Sequence, residues 1–95
     1  MLARYYRIVP QPDSARIEHG VIDVLKNVSR RPIDPTRESE LVADLGFDSL
    51  QVLEAVSELE DRFSVTIPTD DLPSARTVGD VVDQVAKLVG EQSVG

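Results

Sequence analysis

The residues best suited to chemistry lie together in the middle of the chain, in LVADLGFDSLQVLEAVSELEDRF, residues 41–63. Gly46, Asp48 and Ser49 stand where a packed loop is predicted to become a helix. A phosphodiester on the Ser49 hydroxyl would face the free N–H groups and the positive dipole end of that helix, worth about 0.3 to 1 kcal/mol at an exposed position. The pattern therefore predicts a serine that tolerates phosphate attachment. On local chemistry alone, a plain helix cap at Asp48 or Ser49 is the simpler interpretation.

The helix that follows, predicted from about Ser49 to Phe63, has two distinct faces. At about 100° per residue, its apolar residues form one stripe that we expect to be buried: Val52, Leu53, Val56, Leu59 and Phe63. Away from this stripe fall Leu50, Glu54, Glu58 and Asp61. An outward leucine beside a serine, followed by acidic residues, predicts a docking surface with one apolar anchor and charge that steers basic partners. The alternative is that these acidic residues only solvate the outer face.

Two further amphipathic helices are predicted on either side of this segment. The first begins at Ser14, with a buried face of Ile17, Val21, Val24, Leu25 and Val28. The last begins at Thr77, where Thr77 and Asp80 resemble a capping box, and ends at Gly90. Its expected buried face is Val78, Val81, Val82, Val85, Leu88 and Val89.

The connections between these helices are predicted to be a packed loop and one short helical turn. Residues 30–48 form the loop, whose late apolar residues Leu41, Val42, Leu45 and Phe47 are expected to pack on the core. Thr69, Asp70 and Asp71 offer caps for a short helix that Pro73 interrupts. The predicted fold is therefore all-α: a small four-helix bundle with three longer helices, one short helix and a long packed first loop.

Length and composition limit what such a bundle can do. Ninety-five residues predict one domain over residues 14–90, with a flexible N-terminal tail at 1–13 and a C-terminal tail at 91–95. Seventeen acidic and ten basic residues give a net charge of −7, which disfavours nucleic acid and anionic lipid and favours basic protein partners. There is no cysteine, and the one histidine, His19, falls on a solvent-facing arc. We expect no catalytic residue, no metal site, no membrane insertion and a cytoplasmic monomer.

The segment Leu45-Gly46-Phe47-Asp48-Ser49-Leu50, followed by Glu54, Val56, Leu59, Glu60 and Phe63, resembles the signature of the acyl carrier protein family. The resemblance covers roughly residues 14–90. It implies that a phosphopantetheinyl transferase attaches 4′-phosphopantetheine, donated by coenzyme A, to Ser49, and that the arm's thiol carries acyl groups as thioesters. It also implies that Asp48 assists the transferase's metal or orientation. Leu50 would contact partners, and Glu54, Glu58 and Asp61 would meet basic patches on acyl-loading, elongating or acyltransferase enzymes.

Some residues depart from the fatty-acid-synthesis pattern of that family. Gln51 stands where an aspartate commonly follows Asp-Ser-Leu, and Pro73 interrupts the third helix. The pathway therefore stays open among fatty acid, specialised lipid and polyketide biosynthesis. An alternative function is an unmodified helical interaction or regulatory subunit that keeps the carrier fold. A serine hydrolase is disfavoured, because the spacing is not Gly-x-Ser-x-Gly and His19 lies on another helix.

Overall fold

Three α-helices make up the fold in the computed structural model, which describes residues 14–68 and 75–92. They are α1 (Ser14–Val28), α2 (Ser49–Phe63) and α3 (Val78–Gln92). Helix α1 packs against both of the others, and α2 and α3 contact each other least. The all-α class is confirmed for this part of the chain. The predicted short helix near residues 69–73 and the 1–13 tail lie outside the described residues.

The core is built mainly by α1 and α3, and their predicted buried faces are confirmed. All five apolar residues expected on α1 are buried, and they join four buried residues of α3: Val78, Val82, Val85 and Leu88. Val81 and Val89 are half-buried at the edge of this cluster. Full burial of one such side chain stabilises the fold by about 1.5 to 3 kcal/mol. The core between α1 and α3 is therefore the surface against which α2 and the long loop pack.

The bounds of α2 agree with the sequence prediction, and its predicted apolar stripe packs on the core except at Leu53. Its buried residues are Gln51, Ala55 and Leu59, and Leu53 is 53% exposed. The other predicted residues are partly buried against the core: Val52, Val56 and Phe63. The prediction that Leu53 belongs to the core is therefore wrong. The core face is rotated toward Gln51, because hydrogen bonds satisfy the Gln51 amide and allow a polar side chain to occupy a buried position.

The second half of the long loop is packed, as predicted, with one exception. Leu41, Leu45 and Phe47 are buried, and Val42 is 66% exposed. Hydrogen bonds from Asp44 N and Leu45 N to Glu40 O coil this segment into a helical turn. Side chains four residues apart share one face of such a turn, so Leu41 and Leu45 point inward and Val42 points out. The expectation that Val42 packs on the core is wrong.

The loop is tied to α3 and α1 by backbone and side-chain contacts. Glu40 and Thr77 form an isolated antiparallel bridge, and Leu41 N donates to Arg76 O at 3.0 Å. The Arg37 guanidinium reaches Asp83 of α3 at 3.0 Å and Glu18 of α1 at 3.4 Å. Its hydrogen bonds to these carboxylates, that to Asp83 first, raise the pKa of Arg37. These contacts give the long loop a fixed path to the start of α2.

The start of α3 is the capping box that the sequence predicts. The Asp80 carboxylate accepts from Arg76 N at 2.9 Å and from Thr77 N at 3.1 Å, and Thr77 Oγ1 accepts from Asp80 N at 3.1 Å. The predicted end at Gly90 is two residues early, since α3 continues to Gln92. The backbone amides of Arg76 and Thr77 lower the pKa of Asp80 from its usual 3.8.

This lowered pKa predicts a pH-dependent contribution of Asp80 to stability. The ionised carboxylate stabilises the fold above pH 3.8, the usual value, and the contribution is lost as the pH falls through the lowered pKa of the folded state. We expect Asp80→Asn to be less stable than wild type in urea unfolding at pH 7, and the difference to shrink at pH 3. An equal difference at both pH values would contradict the role of the charged cap.

Substitution by alanine is expected to have opposite effects on stability at two helical glycines, Gly20 and Gly90. A Cβ on Gly20 would lie 2.6 Å from Phe63 Cζ, whereas a Cβ on Gly90 would have no neighbour within 4 Å. Alanine favours a helix over glycine by about 1 kcal/mol, but overpacking costs about 1 to 3 kcal/mol. We expect Gly20→Ala to lower the melting temperature and Gly90→Ala to keep or raise it. A Gly20→Ala variant at least as stable as Gly90→Ala would contradict close packing of α1 on α2.

Candidate functional site

Asp48, not Ser49, caps α2, and this leaves the Ser49 hydroxyl available. Asp48 is the N-cap residue, with extended backbone angles (φ −99°, ψ −179°). Its Oδ1 accepts from Gln51 N at 2.8 Å, and Gln51 Oε1 accepts from Asp48 N at 3.2 Å. Ser49 is the first helical residue and is exposed. Of the two caps that the sequence allowed, the structure selects Asp48.

The surroundings of Ser49 suit a phosphodiester. Within residues 14–68 and 75–92, its hydroxyl has no hydrogen-bond partner. The amides of Ser49 and Leu50 belong to the first turn, whose N–H groups have no carbonyl acceptor in their own helix, and they lie at the positive end of the helix dipole. Arg30 Nη1 lies 3.8 Å from Asp48 Oδ2, and both side chains are largely exposed. The residues present therefore fit an attached phosphate and leave one face of the serine open to solvent.

Exposed apolar side chains surround this serine. Leu50 is 57% exposed, which confirms that it points away from the core. Val42 and Leu53 are also exposed, and the sequence had placed both in the core. These two side chains line one groove together with Ser49. We name Val42, Leu50 and Leu53 the apolar patch. No sequence signal set these two apart, because their apolar character fits the core equally well.

The predicted acidic residues of α2 also lie on the outside. Glu54, Glu58 and Asp61 are all exposed, and we name them the acidic row. Spaced three and four residues apart, they share one side of the helix. Ser49, Leu50 and the acidic row are therefore all exposed to solvent on α2.

The groove beside Ser49 leads toward an apolar cavity inside the bundle. The cavity, of about 40 Å³, is lined by side chains of α2 and α3 together with Leu25, Leu41, Phe47, Ile67 and Ala75. Leu41, Val52 and Ala75 line both the groove and the cavity. This volume holds a few water-sized spheres, so a longer apolar chain would enter only if α2 and α3 moved apart.

The only imidazole of the chain is remote from Ser49. The His19 side chain is 82% exposed and lies 3.9 Å from Asp23 on the same helix. It lines a groove with Arg62 and Phe63, at the opposite end of α2 from Ser49, which is roughly 20 Å away along a helix of this length. His19 is therefore not placed to activate the Ser49 hydroxyl.

Comparisons with known proteins show which family the chain resembles. A family model described as the phosphopantetheine attachment site matches residues 19–85. The acyl carrier protein of Syntrophobacter fumaroxidans is 42% identical over 78 residues, which cover 79% of this chain and 94% of that protein. The meromycolate extension acyl carrier protein of Mycobacterium tuberculosis is 40% identical over 73 residues, or 76% of this chain. The matched region spans 64% of that mycobacterial protein's length.

A solved structure shows the same architecture. It is described as an acyl carrier protein from Mycobacterium tuberculosis, and it superposes with a TM-score of 0.71 at 37% identity. The match covers 75% of this chain and 96% of that one. Fold, site and sequence thus define a phosphopantetheine-binding carrier protein. The chain belongs to the acyl carrier protein family.

Its function follows from that membership: it carries acyl groups on a 4′-phosphopantetheine arm for lipid biosynthesis. Proteins of this family are carriers rather than catalysts, and they interact with a phosphopantetheinyl transferase and with acyl-handling enzymes. None of the helices within residues 14–68 and 75–92 has the length and apolar character needed to cross a membrane.

Proposed function

We propose that Ser49 is the residue that receives the 4′-phosphopantetheine arm. The observation that carries the proposal is its exposed hydroxyl on the first residue of α2, made available because Asp48 supplies the cap. Asp48 Oδ1 is engaged by Gln51 N, and Asp48 Oδ2 lies toward the exposed Arg30. That second oxygen is therefore accessible to assist the transferase's metal or the orientation of the hydroxyl.

The chain itself contributes attachment and presentation, without catalysis. The arm supplies a terminal thiol, which this cysteine-free chain lacks, and which holds the cargo as a thioester. The His19 imidazole lies at the far end of α2 and is not placed to activate Ser49. Activation of the hydroxyl is therefore assigned to the transferase. We propose a cytoplasmic protein whose carrier domain comprises residues 14–90.

The apolar patch and the acidic row together form the proposed docking surface for partner enzymes. The acidic row would attract basic patches on the transferase and on acyl-loading, elongating or acyltransferase enzymes, and the apolar patch would supply short-range contact. The apolar patch lies beside the proposed attachment point and the acidic row runs along α2 away from it, so an enzyme docked on both would also meet the arm. The pathway is proposed to be that of a fatty acid, a specialised lipid or a polyketide.

The groove and the cavity favour partial shielding of the cargo. An acyl chain tethered at Ser49 would reach the groove first, and Leu41, Val52 and Ala75 continue from there into the cavity. The weak contact between α2 and α3 makes this interface the one that opens at the lowest cost in lost packing. The first few carbons of the chain are the part that this space would accept.

Attachment at Ser49 predicts different loading of two serine-to-alanine variants, Ser49→Ala and Ser57→Ala. We expect Ser49→Ala to stay folded, with a change in unfolding free energy within about 0.5 kcal/mol, and to gain no phosphopantetheine in the presence of a transferase and coenzyme A. Ser57→Ala, at another exposed serine of α2, should be loaded like wild type. Intact-mass spectrometry reads both results.

Two outcomes would overturn the attachment site or the function. Loading of Ser49→Ala at another residue would show that the attachment residue was wrongly chosen. Failure of several transferases to load wild type would instead favour the unmodified interaction or regulatory subunit.

The docking surface predicts that the position of an acidic residue matters more than the total charge. We expect Glu58→Lys to lower kcat/KM for loading by about tenfold or more at low ionic strength, and the loss to shrink as salt screens the attraction. Glu91→Lys changes the net charge equally at an exposed residue of α3 and should have little effect. Asp23 is unsuitable as a control because it pairs with Arg62 of α2 at 3.4 Å.

Steady-state loading kinetics at two salt concentrations provide the measurement. Equal losses in Glu58→Lys and Glu91→Lys would mean that partners sense only net charge.

A further inference from the structure

Gln51 is the one polar residue of α2 that the structure buries, with 5% of its surface exposed. Its amide makes hydrogen bonds in two directions. Oε1 accepts from Asp48 N at 3.2 Å, and Nε2 donates to the backbone oxygen of Val28 at 3.4 Å. Val28 is the last residue of α1. One side chain therefore connects the end of α1 to the start of α2.

The Asp48 N–H and the Val28 carbonyl are both backbone groups at helix ends that have no hydrogen-bond partner within their own helix. The last carbonyls of a helix and the first amides of the next have no partner in their own helices. At this junction, Gln51 satisfies one of each kind, and its own backbone N–H completes the cap through Asp48 Oδ1 at 2.8 Å. The backbone on both sides of Ser49 is thus held by contacts of a single residue, two positions away.

We propose that Gln51 is the positioning residue for Ser49, fixing the hydroxyl relative to α1 and to the docking surface so that an enzyme bound there meets it in a reactive position. This inference rests on the proposed loading of Ser49. Its physical basis is that a docked transferase can act only on a nucleophile whose position is already set, and a displacement of about 1 Å can reduce a rate by about a hundredfold.

The chemistry of the amide group explains why glutamine serves here. A glutamate at this position retains an oxygen that accepts from Asp48 N, but an ionised carboxylate has no hydrogen to donate to Val28 O. A methionine is similar in length and apolar, and it makes neither bond. Gln51→Glu therefore removes the hydrogen bond to Val28 O alone, whereas Gln51→Met removes both hydrogen bonds.

The experiment measures kcat and KM for loading of wild type, Gln51→Met and Gln51→Glu by a phosphopantetheinyl transferase, with the carrier as the varied substrate, below the melting temperature of each variant. We expect kcat to fall about tenfold or more in Gln51→Met and by a smaller factor in Gln51→Glu. KM should stay within about twofold, because the exposed docking residues are unchanged. Asn27→Asp, an amide-to-carboxylate change at an exposed residue of α1, is the charge control and should load like wild type.

Amide hydrogen exchange provides a second readout that does not depend on loading. In Gln51→Met, the Asp48 amide should exchange faster than in wild type, while the Leu59 amide in the interior of α2 keeps its protection. A folded Gln51→Met variant with wild-type kcat would overturn the inference, as would unchanged exchange at Asp48. If Gln51→Met fails to fold, the ratio of kcat for Gln51→Glu to that for Asn27→Asp decides the question. Failure of wild type to load would count against Ser49 attachment, and the Asp48 exchange would still test whether Gln51 holds this turn.

Discussion

The reciprocal hydrogen bonds between Asp48 and Gln51 determine where the loop ends and α2 begins. Because Asp48 takes the capping role, the next residue is left with an exposed hydroxyl at the positive end of a helix. The same pair turns the Gln51 side chain inward, where it meets the last carbonyl of α1. The faces of α2 follow from this starting point, since each later residue advances by about 100°. The orientations of Ser49, the proposed attachment point, and of the Leu50, Leu53 and acidic-row side chains on α2 follow from it.

The long loop before α2 fixes the position at which this helix begins. Leu41, Leu45 and Phe47 anchor its second half in the core, and Arg37 ties its first half to α1 and α3 through two carboxylates. Exposed ion pairs of this kind contribute little each, so the buried residues carry most of the stabilisation. A loop anchored in this way keeps Ser49 at a defined position while leaving the serine itself outside the core.

The uneven packing of the three helices separates stability from function. Helix α1 contacts both other helices, and the α1–α3 core holds most of the fully buried side chains. Helix α2 shares fewer contacts with α3, and the apolar cavity lies along their interface. The helix that begins at Ser49 therefore borders the part of the bundle that can open with the least loss of packing.

The sequence by itself determined the elements and the chemistry of the site. Apolar periodicity located α1, α2 and α3 and the buried faces of α1 and α3, capping residues located the start of α3, and Asp48, Ser49 and Leu50 indicated the turn where we propose attachment. Tertiary structure decided the edges of the buried face of α2. Leu53 and Val42 are apolar and yet exposed, whereas Gln51 is polar and buried. Residue type gives the cost of burial in isolation, but the partners that cancel it for Gln51 include Val28 O, at the end of another helix. A contact between residues so far apart in the chain exists only once the helices have packed.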